Sequence, residues 1–247
     1  MKNNKSLGQH WLKNRLILDE IANLSKVKNT KLCLEIGPGL GTLTSSLLKR
    51  YDKVLAVEFD ENLANNLPKS FPGKNLEVVH ADFLQYNLAE ISEPYSVAAN
   101  IPYYITSPII EKLLTAENRP QKIVLLIQKE VAERIANLKQ TQLSLFVQNR
   151  AKVELGSVVK KDEFTPPPKV DSQVIVLTPK NPEIPDEVFR LIKIGFSSPR
   201  KKLIANLAVL KSKDDLKKIF AELNLNSDAR PSDLSLKDWQ KLFQTVL

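Results

Sequence analysis

One polar and aromatic corner in the sequence could hold a flat ligand that carries an amine. A buried strand, predicted over residues 95–99, runs into Asn100-Ile101-Pro102-Tyr103. The Asn100 side-chain carbonyl and the Ile101 backbone carbonyl are adjacent acceptors, and Pro102 keeps Ile101 extended, so its carbonyl is not folded into a helical turn. Two acceptors on the two amine hydrogens would leave the nitrogen lone pair free to attack an electrophile. Tyr103 offers a face on which an adenine can stack.

Taken alone, this four-residue match is more often a turn that closes a strand. The residues upstream favour the chemical interpretation. Glycines follow the first predicted strand in the order G-x-G-x-G, at Gly37, Gly39 and Gly41, whereas dinucleotide sites have G-x-G-x-x-G. Glu35 places a carboxylate beside this turn, which would repel a pyrophosphate. The same carboxylate would attract the ammonium and sulfonium groups of S-adenosylmethionine.

Two further acids end the second and third predicted strands. Glu58 lies nineteen residues after Gly39, where a carboxylate can accept both hydroxyls of a ribose, and Asp82 can accept from an adenine amine. Each acid alone is more often a helix cap or a surface residue, and we assign Asp60 as a cap. The joint spacing with Asn100 favours an S-adenosylmethionine-dependent methyltransferase over a nicotinamide enzyme.

The elements that must position these residues alternate between strand and helix. Apolar spacing predicts an amphipathic helix over residues 14–27. The segments that follow are predicted as strands over 31–36, 53–59, 76–80, 95–99 and 122–127, and as helices over 42–50, from Asp60, over 106–115 and over 129–138. This order predicts an α/β, Rossmann-like fold with a doubly wound, mostly parallel sheet, whose ligands bind at the carboxyl ends of its strands.

The pattern changes after residue 142. Two β-rich runs, 143–153 and 170–177, could form an antiparallel edge of the sheet, and residues 178–185 indicate a linker. Helical spacing without strand signal covers 186–247. We therefore expect a catalytic domain over residues 1–180, with an N-terminal segment that covers the cofactor, and a small all-α domain over residues 181–247.

Composition restricts the class of protein. The chain has 247 residues, of which 43% are hydrophobic and 26% charged, as in soluble globular proteins. No run is apolar enough for a membrane span or a secretory signal, and the single Cys33 excludes an internal disulfide. We expect a cytoplasmic monomer that needs no metal ion.

The net charge of +8 is placed at the two ends of the chain. Residues 1–30 carry six Lys or Arg against two Asp or Glu, residues 180–247 carry thirteen against nine, and residues 31–179 carry seventeen of each. A neutral middle with two basic ends is the distribution expected of a protein that grips a polyanion. Lysines scattered for solubility are the alternative.

These motifs together resemble the ribosomal RNA adenine dimethyltransferase family, in particular the KsgA type that acts on small-subunit rRNA. The resemblance spans nearly the whole chain. The narrower motifs are the N-terminal one and the Phe164 stretch, while the glycine and Asn-Ile-Pro-Tyr motifs occur in many methyltransferases. The matching segments are residues 6–12 (SLGQHWL), 35–41 (EIGPGLG), 100–103 (NIPY), 128–134 (QKEVAER), 164–172 (FTPPPKVDS), 229–231 (ARP) and 234–235 (LS).

The resemblance implies a role for each candidate residue. The target base would lie between Phe164 and Tyr103, since an enzyme that modifies a base amine must take the base out of its stack. The basic run in the helical domain would bind small-subunit rRNA or a subunit precursor. The implied cofactor-binding residues are His10 and Leu12 through their backbones, then Gly37, Glu58, Asp82 and Asn100; the implied catalytic residues are Asn100, Ile101, Pro102, Tyr103 and Phe164; and the implied RNA-binding residues are Arg200, Lys201 and Lys202.

The chain departs from the family pattern in three places. His10 stands where relatives usually have Asn, the segment between Leu138 and Leu143 is shorter and lacks a Tyr-Gly loop, and lysines follow Arg200 where relatives often have consecutive arginines.

Two other functions remain open at this point. An Erm-type enzyme, which methylates large-subunit rRNA and confers macrolide resistance, has nearly identical catalytic motifs. The motif at residues 229–235 and the basic run after Phe196 favour the small-subunit activity. A non-catalytic assembly or transcription factor on the same fold would be expected to lack Asn100 or Glu58, and both are present.

Overall fold

The computed structural model describes residues 10–136 and 140–246, and within these ranges the main feature is a seven-stranded sheet. Its strand order is β4-β3-β2-β5-β6-β9-β7, and a separate two-stranded sheet pairs β1 with β8. The strands are β1 Trp11–Leu12, β2 Leu32–Ile36, β3 Lys53–Glu58, β4 Leu76–His80, β5 Tyr95–Asn100, β6 Ile123–Gln128, β7 Ala151–Val159, β8 Phe164–Thr165 and β9 Ser172–Pro179.

Helices connect the strands as the alternating pattern predicts. α1 begins after Asn14, whose side chain accepts hydrogen bonds from the backbone N–H groups of Leu16 and Ile17. Asp60 caps α3 by accepting from the Leu63 N–H, which confirms its assignment. The helices are α1 Arg15–Ser25, α2 Thr42–Leu47, α3 Glu61–Asn66, α4 Thr106–Thr115, α5 Lys129–Ala136, α6 Gln142–Arg150, α7 Val188–Gly195, α8 Leu203–Leu207, α9 Lys213–Glu222 and α10 Leu236–Val246.

The parallel strands end at a common edge of the sheet. β2 pairs in parallel with β3 and β5, β3 pairs with β4, and β5 pairs with β6, whereas β9 runs antiparallel to β6. In this register Ile36 lies opposite Val57 and Ala99, and Glu58 lies opposite His80. The glycine turn, Glu58 and Asn100 therefore meet at the carboxyl ends of the strands, as expected for a Rossmann-like fold.

One sequence-based expectation about secondary structure is wrong. The β-rich run predicted over residues 143–153 is helix α6 up to Arg150, and β7 begins only at Ala151. Thr141 and Ser144 form a reciprocal capping box that starts this helix. Leu145 is buried among the helices of the C-terminal region. Packing and capping thus override the β-propensity of this segment.

Contacts divide the chain into two compact units. The first contains residues 1–133 and 152–179 and carries the large sheet. The second contains residues 134–151 and 180–247, so α6 belongs with the C-terminal helices although the expected boundary at residue 181 leaves it in the catalytic domain. None of the helices within the described ranges has the length and hydropathy to cross a membrane.

The second unit has its own apolar core around Trp239, which is completely buried. A β-carbon on Gly195 would lie 2.3 Å from the Trp239 ring, so only glycine leaves room for this contact. Arg150 is 3% exposed, pairs with Asp186, and places its guanidinium 4.2 Å from the centroid of the Phe146 ring. The second unit is therefore a helical domain with its own apolar core.

Candidate active site

The glycine turn after β2 requires its glycines. Gly37, Gly39 and Gly41 all have positive φ, at 64°, 57° and 79°, where other residues are strained. A β-carbon on Gly41 would also lie 2.6 Å from Leu67 and 2.8 Å from Phe71. The N–H groups of the three glycines already donate to Val57, Glu58 and Pro38, so what the turn offers is a main chain that a ligand can approach closely.

A cavity of about 380 Å³ opens at this edge of the sheet. Its volume lies in the range that accommodates a cofactor-sized molecule. The lining residues come from the ends of β2, β3, β4 and β5 and from the segment before α1. They are His10, Trp11, Glu35, Ile36, Gly37, Pro38, Gly39, Thr42, Leu43, Val57, Glu58, Phe59, Ala81, Asp82, Phe83, Leu84, Asn100, Ile101, Pro102, Tyr103, Tyr104 and Ile105.

Glu35 is a buried acid in the wall of this cavity. Its side chain is 1% exposed, and it accepts a hydrogen bond of 2.6 Å from the Thr44 hydroxyl. Burial raises the pKa of Glu35 to about 8, against the effect of the Thr44 hydrogen bond, and the nearby Glu58 carboxylate raises it further. A cationic ligand group beside Glu35 would reverse this effect, because it stabilises the ionised carboxylate.

Glu58 holds the glycine turn in place. One carboxylate oxygen accepts from the Gly39 N–H at 2.9 Å, and the other accepts from the Asp60 N–H at 2.9 Å. Each oxygen has a second lone pair, so the carboxylate can still accept hydroxyl groups of a ligand. Glu58 therefore links β3 to the turn after β2 across nineteen residues of sequence.

Asp82 follows β4, the edge strand of the sheet on the side away from Asn100, and it is exposed. One of its oxygens accepts from the Leu84 N–H at 2.9 Å, which shapes the loop after β4. The remaining acceptor capacity of its carboxylate is available to an amine. Phe83 and Leu84 contribute apolar surface to the same part of the cavity.

Asn100 is oriented by the backbone of the N-terminal segment. Its side-chain nitrogen donates to the His10 carbonyl at 3.0 Å. A carbonyl oxygen can only accept, so the amide must turn its NH₂ group toward His10 and leave its own oxygen as an acceptor. In this orientation the amide oxygen can accept a hydrogen from an exocyclic amine, as the sequence predicts.

Tyr103 is held at two points. Its hydroxyl lies 2.8 Å from the Ser172 hydroxyl, and its ring stacks with the His10 ring at a centroid distance of 6.3 Å and an angle of 22°. Burial raises the pKa of Tyr103, so the phenol stays protonated. His10 is held in turn by the Pro166 carbonyl, 2.8 Å from its Nδ1. The motif at residues 164–172 therefore supports His10 and Tyr103 in the cavity wall through Pro166 and Ser172.

The structure does not place the side chains of Leu12 and Phe164 in the cavity. These residues are cross-strand partners in the β1–β8 pair, they are 0% and 3% exposed, and both belong to the main apolar core. Phe164 is therefore not among the lining residues of the cavity, and its position opposite Tyr103 around a target base stays a prediction. Alternation along β1 is the physical reason, since Leu12 and Trp11 point to opposite faces and Trp11 is the one that lines the cavity.

Sequence reasoning missed several residues of this site. Trp11 lies close to Gly39 of the turn, and Thr44 donates to Glu35. Ser172 holds Tyr103, and Phe59 and Tyr104 are exposed aromatics in the cavity wall. Phe59 directly follows Glu58 and Tyr104 directly follows Tyr103, so their positions next to predicted site residues were the signal that could have identified them. Ser172 is 69 residues away from Tyr103, and only the fold brings them together.

The predicted RNA-binding residues lie in the second unit, on the exposed loop between α7 and α8. The Asn206 side chain donates to the Ser198 carbonyl at 3.0 Å, and the Leu203 N–H donates to the Ala229 carbonyl at 2.8 Å. The loop is thus ordered and lies beside the 229–231 motif. Lys202 forms an ion pair with Asp228 at 2.6 Å, whereas no ion pair to Arg200 or Lys201 is found in the described part of the chain.

Several sequence-based observations fall outside the described residues, namely the 6–9 part of the N-terminal motif and residues 137–139 of the shortened segment. Across residues 10–136 and 140–246 no cluster of His, Cys, Asp and Glu has the makings of a metal site. Cys33 is buried, and burial raises its pKa, which keeps the thiol protonated and inert.

The fold and the cavity define a class. A mostly parallel sheet with a glycine turn after its first long strand, and acids after the next two, is the Rossmann-like arrangement of an S-adenosylmethionine-dependent methyltransferase. The profile of the ribosomal RNA adenine dimethylase family matches residues 1–246, and the chain belongs to that family. The resemblance inferred from the motifs and the predicted fold class are both confirmed.

Individual relatives agree with this assignment. The chain is 40% identical over 259 residues to the ribosomal RNA small subunit methyltransferase A of Nostoc sp., and the match covers 96% of each chain. Among solved structures, it is similar to a dimethyladenosine transferase from Plasmodium falciparum, with a TM-score of 0.79, 32% identity and coverage of 94% of this chain and 96% of that one. It is also similar to the 23S rRNA methyltransferase ErmE, with a TM-score of 0.75, 25% identity and coverage of 96% and 99%.

Proposed function

We propose that this protein transfers methyl groups from S-adenosylmethionine to the exocyclic amine of adenosines in small-subunit rRNA, twice at each adenosine, and acts in small-subunit biogenesis. The observation that carries the proposal is the orientation of Asn100, whose amide oxygen is kept available beside the cavity because its nitrogen is bound to His10. The relatives named as small-subunit methyltransferases support the choice of rRNA.

The cavity suits S-adenosylmethionine in its charge distribution. Glu35 is a buried carboxyl without a cationic partner among the described residues, so an ammonium or sulfonium group is the natural complement. Glu58 and Asp82 would accept from the ribose hydroxyls and the adenine amine. The backbone of His10 and Leu12 would cover the ligand, with Gly37 and Asn100 completing the contacts.

The chain's own residues would position the amine and need no covalent intermediate. When bound, S-adenosylmethionine supplies a methyl group made electrophilic by its bond to a positively charged sulfur. The Asn100 oxygen and the Ile101 carbonyl would accept the two amine hydrogens, so that the lone pair leaves conjugation with the ring. The amine nitrogen would then form the bond to the methyl carbon as the carbon–sulfur bond breaks, with its electron pair left on the departing thioether, and the proton of the nitrogen would pass to solvent. In the second transfer the monomethylated amine has one hydrogen left, which one of the two acceptors would hold. Tyr103 supplies the stacking face, and its neutral phenol adds no charge near the sulfonium.

The choice between rRNA molecules rests on similarity. The small-subunit methyltransferase of Nostoc sp. is 40% identical to the chain, whereas ErmE, named for 23S rRNA, is 25% identical. By the resemblance, Erm-type enzymes have nearly identical catalytic motifs, so the cavity itself does not discriminate between the two RNA molecules. The exposed loop with Arg200, Lys201 and Lys202 would bind the rRNA phosphates. A cytoplasmic monomer acting on rRNA or a subunit precursor completes the proposal.

The test uses purified protein, labelled S-adenosylmethionine and undermethylated small ribosomal subunits, with large subunits in a parallel reaction. Mass analysis of the nucleosides should give dimethyladenosine from small-subunit rRNA alone. Asn100→Ala serves as the control with strongly reduced activity. Label in large-subunit rRNA would favour the Erm-type activity instead, and an unmodified RNA with an intact cofactor complex would favour a non-catalytic factor.

A further inference from the structure

Two aromatic side chains remain exposed in the described residues, and both line the same cavity. Phe59 is 59% exposed and Tyr104 is 68% exposed, while every other Phe, Tyr and Trp of those residues is buried or partly buried. Single exposed apolar residues are common on protein surfaces. These two exposed rings lie in one cavity, whereas the other aromatic rings of the described residues are at least partly buried. Because an exposed ring offers a face for stacking, the pair indicates that the cavity binds flat ligands.

The two rings lie on different sides of the cavity. Phe59 follows Glu58 at the end of β3, next to the loop after β4 that carries Asp82. This is the side at which the proposed function places the cofactor's ribose and adenine. Tyr104 follows Tyr103 after β5, on the side of Asn100 and the target amine. Tyr104 is therefore assigned to the substrate, and this assignment rests on the proposed function.

The backbone under Tyr104 is ordered although the ring is exposed. Tyr103–Ile105 form a single helical turn between Pro102 and α4, and α4 is anchored by buried residues that include Ile109 and Ile110. Tyr103 is held by Ser172. Within the described residues the Tyr104 hydroxyl has no hydrogen-bond partner, and its ring has no stacking partner. A fixed platform with a free face is what a stacking ligand requires.

The way in which an adenosine must enter the cavity indicates which ligand stacks on Tyr104. An adenosine that enters the cavity must leave its stack, and this unstacking also deprives the neighbouring base of a partner. We propose that Tyr104 stacks on the nucleotide adjacent to the target adenosine, replacing the partner that this nucleotide loses, and so contributes to RNA binding without taking part in methyl transfer. Any base can stack on a tyrosine, so Tyr104 selects an unpaired strand and no particular sequence.

The first test compares Tyr104→Ala and Tyr104→Phe with Phe59→Ala, a matched loss of an exposed ring from the cofactor side. Tyr104→Ala should lower kcat/KM for the RNA by about 5- to 150-fold, the range for one lost base–aromatic stack, with an unchanged Kd for S-adenosylmethionine. Tyr104→Phe should keep most of the activity. Phe59→Ala should instead weaken the cofactor and leave RNA binding intact.

The second test measures stacking directly and needs no methyl transfer. Small-subunit rRNA fragments carry 2-aminopurine on the 5′ or the 3′ side of one adenosine, and the unpaired adenosines are tested in turn, so that the probe is placed without reference to methylation. Wild type should quench one of the two probes on binding, and Tyr104→Ala should abolish the quenching. The proposal is overturned if neither probe is quenched by wild type, if Tyr104→Ala leaves kcat/KM unchanged or weakens the cofactor, or if Tyr104→Phe is as defective as Tyr104→Ala. Loss of methylation by wild type, with quenching intact, would reject the proposed function alone.

Discussion

The two halves of the cavity are built differently. In the cofactor half, Glu35 and Glu58 are buried and already hydrogen-bonded to Thr44, Gly39 and Asp60 of the protein itself. In the target half, Tyr104 faces solvent and Tyr103 is only partly buried. The two acids of the cofactor half are thus preorganised by the fold, although Phe59 and Asp82 of the same half are exposed. The target half holds Asn100 and Tyr103 in place and leaves the Tyr104 ring available for a large partner. This difference agrees with a small ligand that binds by itself and a base that arrives attached to an RNA.

The largest effect is expected from Asn100→Ala in the target half. It should reduce kcat by about 30- to 1,000-fold, equivalent to 2 to 4 kcal/mol, because one preorganised acceptor of the amine is lost. Binding of S-adenosylmethionine, measured by calorimetry, should remain detectable. An Asn100→Ala enzyme with near-normal turnover would contradict the mechanism. Loss of S-adenosylmethionine binding in Asn100→Ala would instead show that Asn100 is needed by the cofactor half as well.

Glu58→Ala should act on the cofactor half. We expect the affinity for S-adenosylmethionine to fall by about 10- to 150-fold, or 1.5 to 3 kcal/mol, through lost charged hydrogen bonds to the ribose and a less restrained glycine turn. Calorimetric titration measures this change, and kcat at saturating cofactor should change less. Asp60→Ala, which removes only the α3 cap, is the control. An unchanged Kd for S-adenosylmethionine in Glu58→Ala would show that the carboxylate binds the glycine turn and does not contact the cofactor.

Glu35 should make stability depend on pH. Folding raises its pKa from 4.5 to about 8, so the folded state binds this proton more tightly than the unfolded state. Its contribution is present below pH 4.5 and is lost as the pH rises toward 8, by at most about 1.4 kcal/mol per pH unit. Denaturant unfolding of the free protein at pH 5.5, 6.5 and 7.5 measures this slope. Glu35→Gln should flatten it, and parallel curves for the two proteins would refute the buried acid.

The smallest free-energy change is expected outside the cavity, in the loop with Arg200, Lys201 and Lys202, because exposed charges are screened by salt. Replacing all three with Ala should leave the cofactor Kd unchanged and flatten the plot of log RNA affinity against log salt. Each lost contact contributes about 0.7 to 0.9 to that slope. Since Lys202 is paired with Asp228, two to three contacts give about 1.4 to 2.7.

The control for this loop removes Lys213, Lys217 and Lys218 from α9, which are also exposed and lie in the same unit. An equal change of slope in both triple variants would show that net charge, and not this loop, governs RNA binding. Lower affinity with an unchanged slope in the loop variant would indicate a packing role. The basic stretch of residues 2–15 would then be the better candidate for contact with phosphates.

Most of the catalytic fold was predictable because its signals are local. The buried strand β6 is a nearly continuous apolar run, and helices such as α4 repeat apolar residues at helical spacing. Once parallel strands are inferred, residues that follow them must meet at one edge of the sheet. This reasoning predicts that Gly37, Glu58, Asp82 and Asn100 meet at one edge of the sheet, and all four line the cavity.

The rest was decided by contacts between distant parts of the chain. The α6 segment carries β-forming residues, and its helix is stabilised by a cap and by burial of Leu145 among helices from the end of the sequence. The Phe164 side chain is an aromatic ring suited to a base slot, and its pairing with Leu12 places it in the apolar core of the structure. Residue types alone cannot show which face of a two-residue strand points to a cavity.

The sequence by itself determined the family, the order of the main strands and the identity of the residues at their ends, because these depend on periodicity and short-range spacing. Tertiary structure decided which of those residues are already engaged and which are free. It bound Glu58 to Gly39, Asn100 to His10 and Tyr103 to Ser172. These hydrogen bonds join groups 19 to 90 residues apart, and such distances are closed only when the whole core packs.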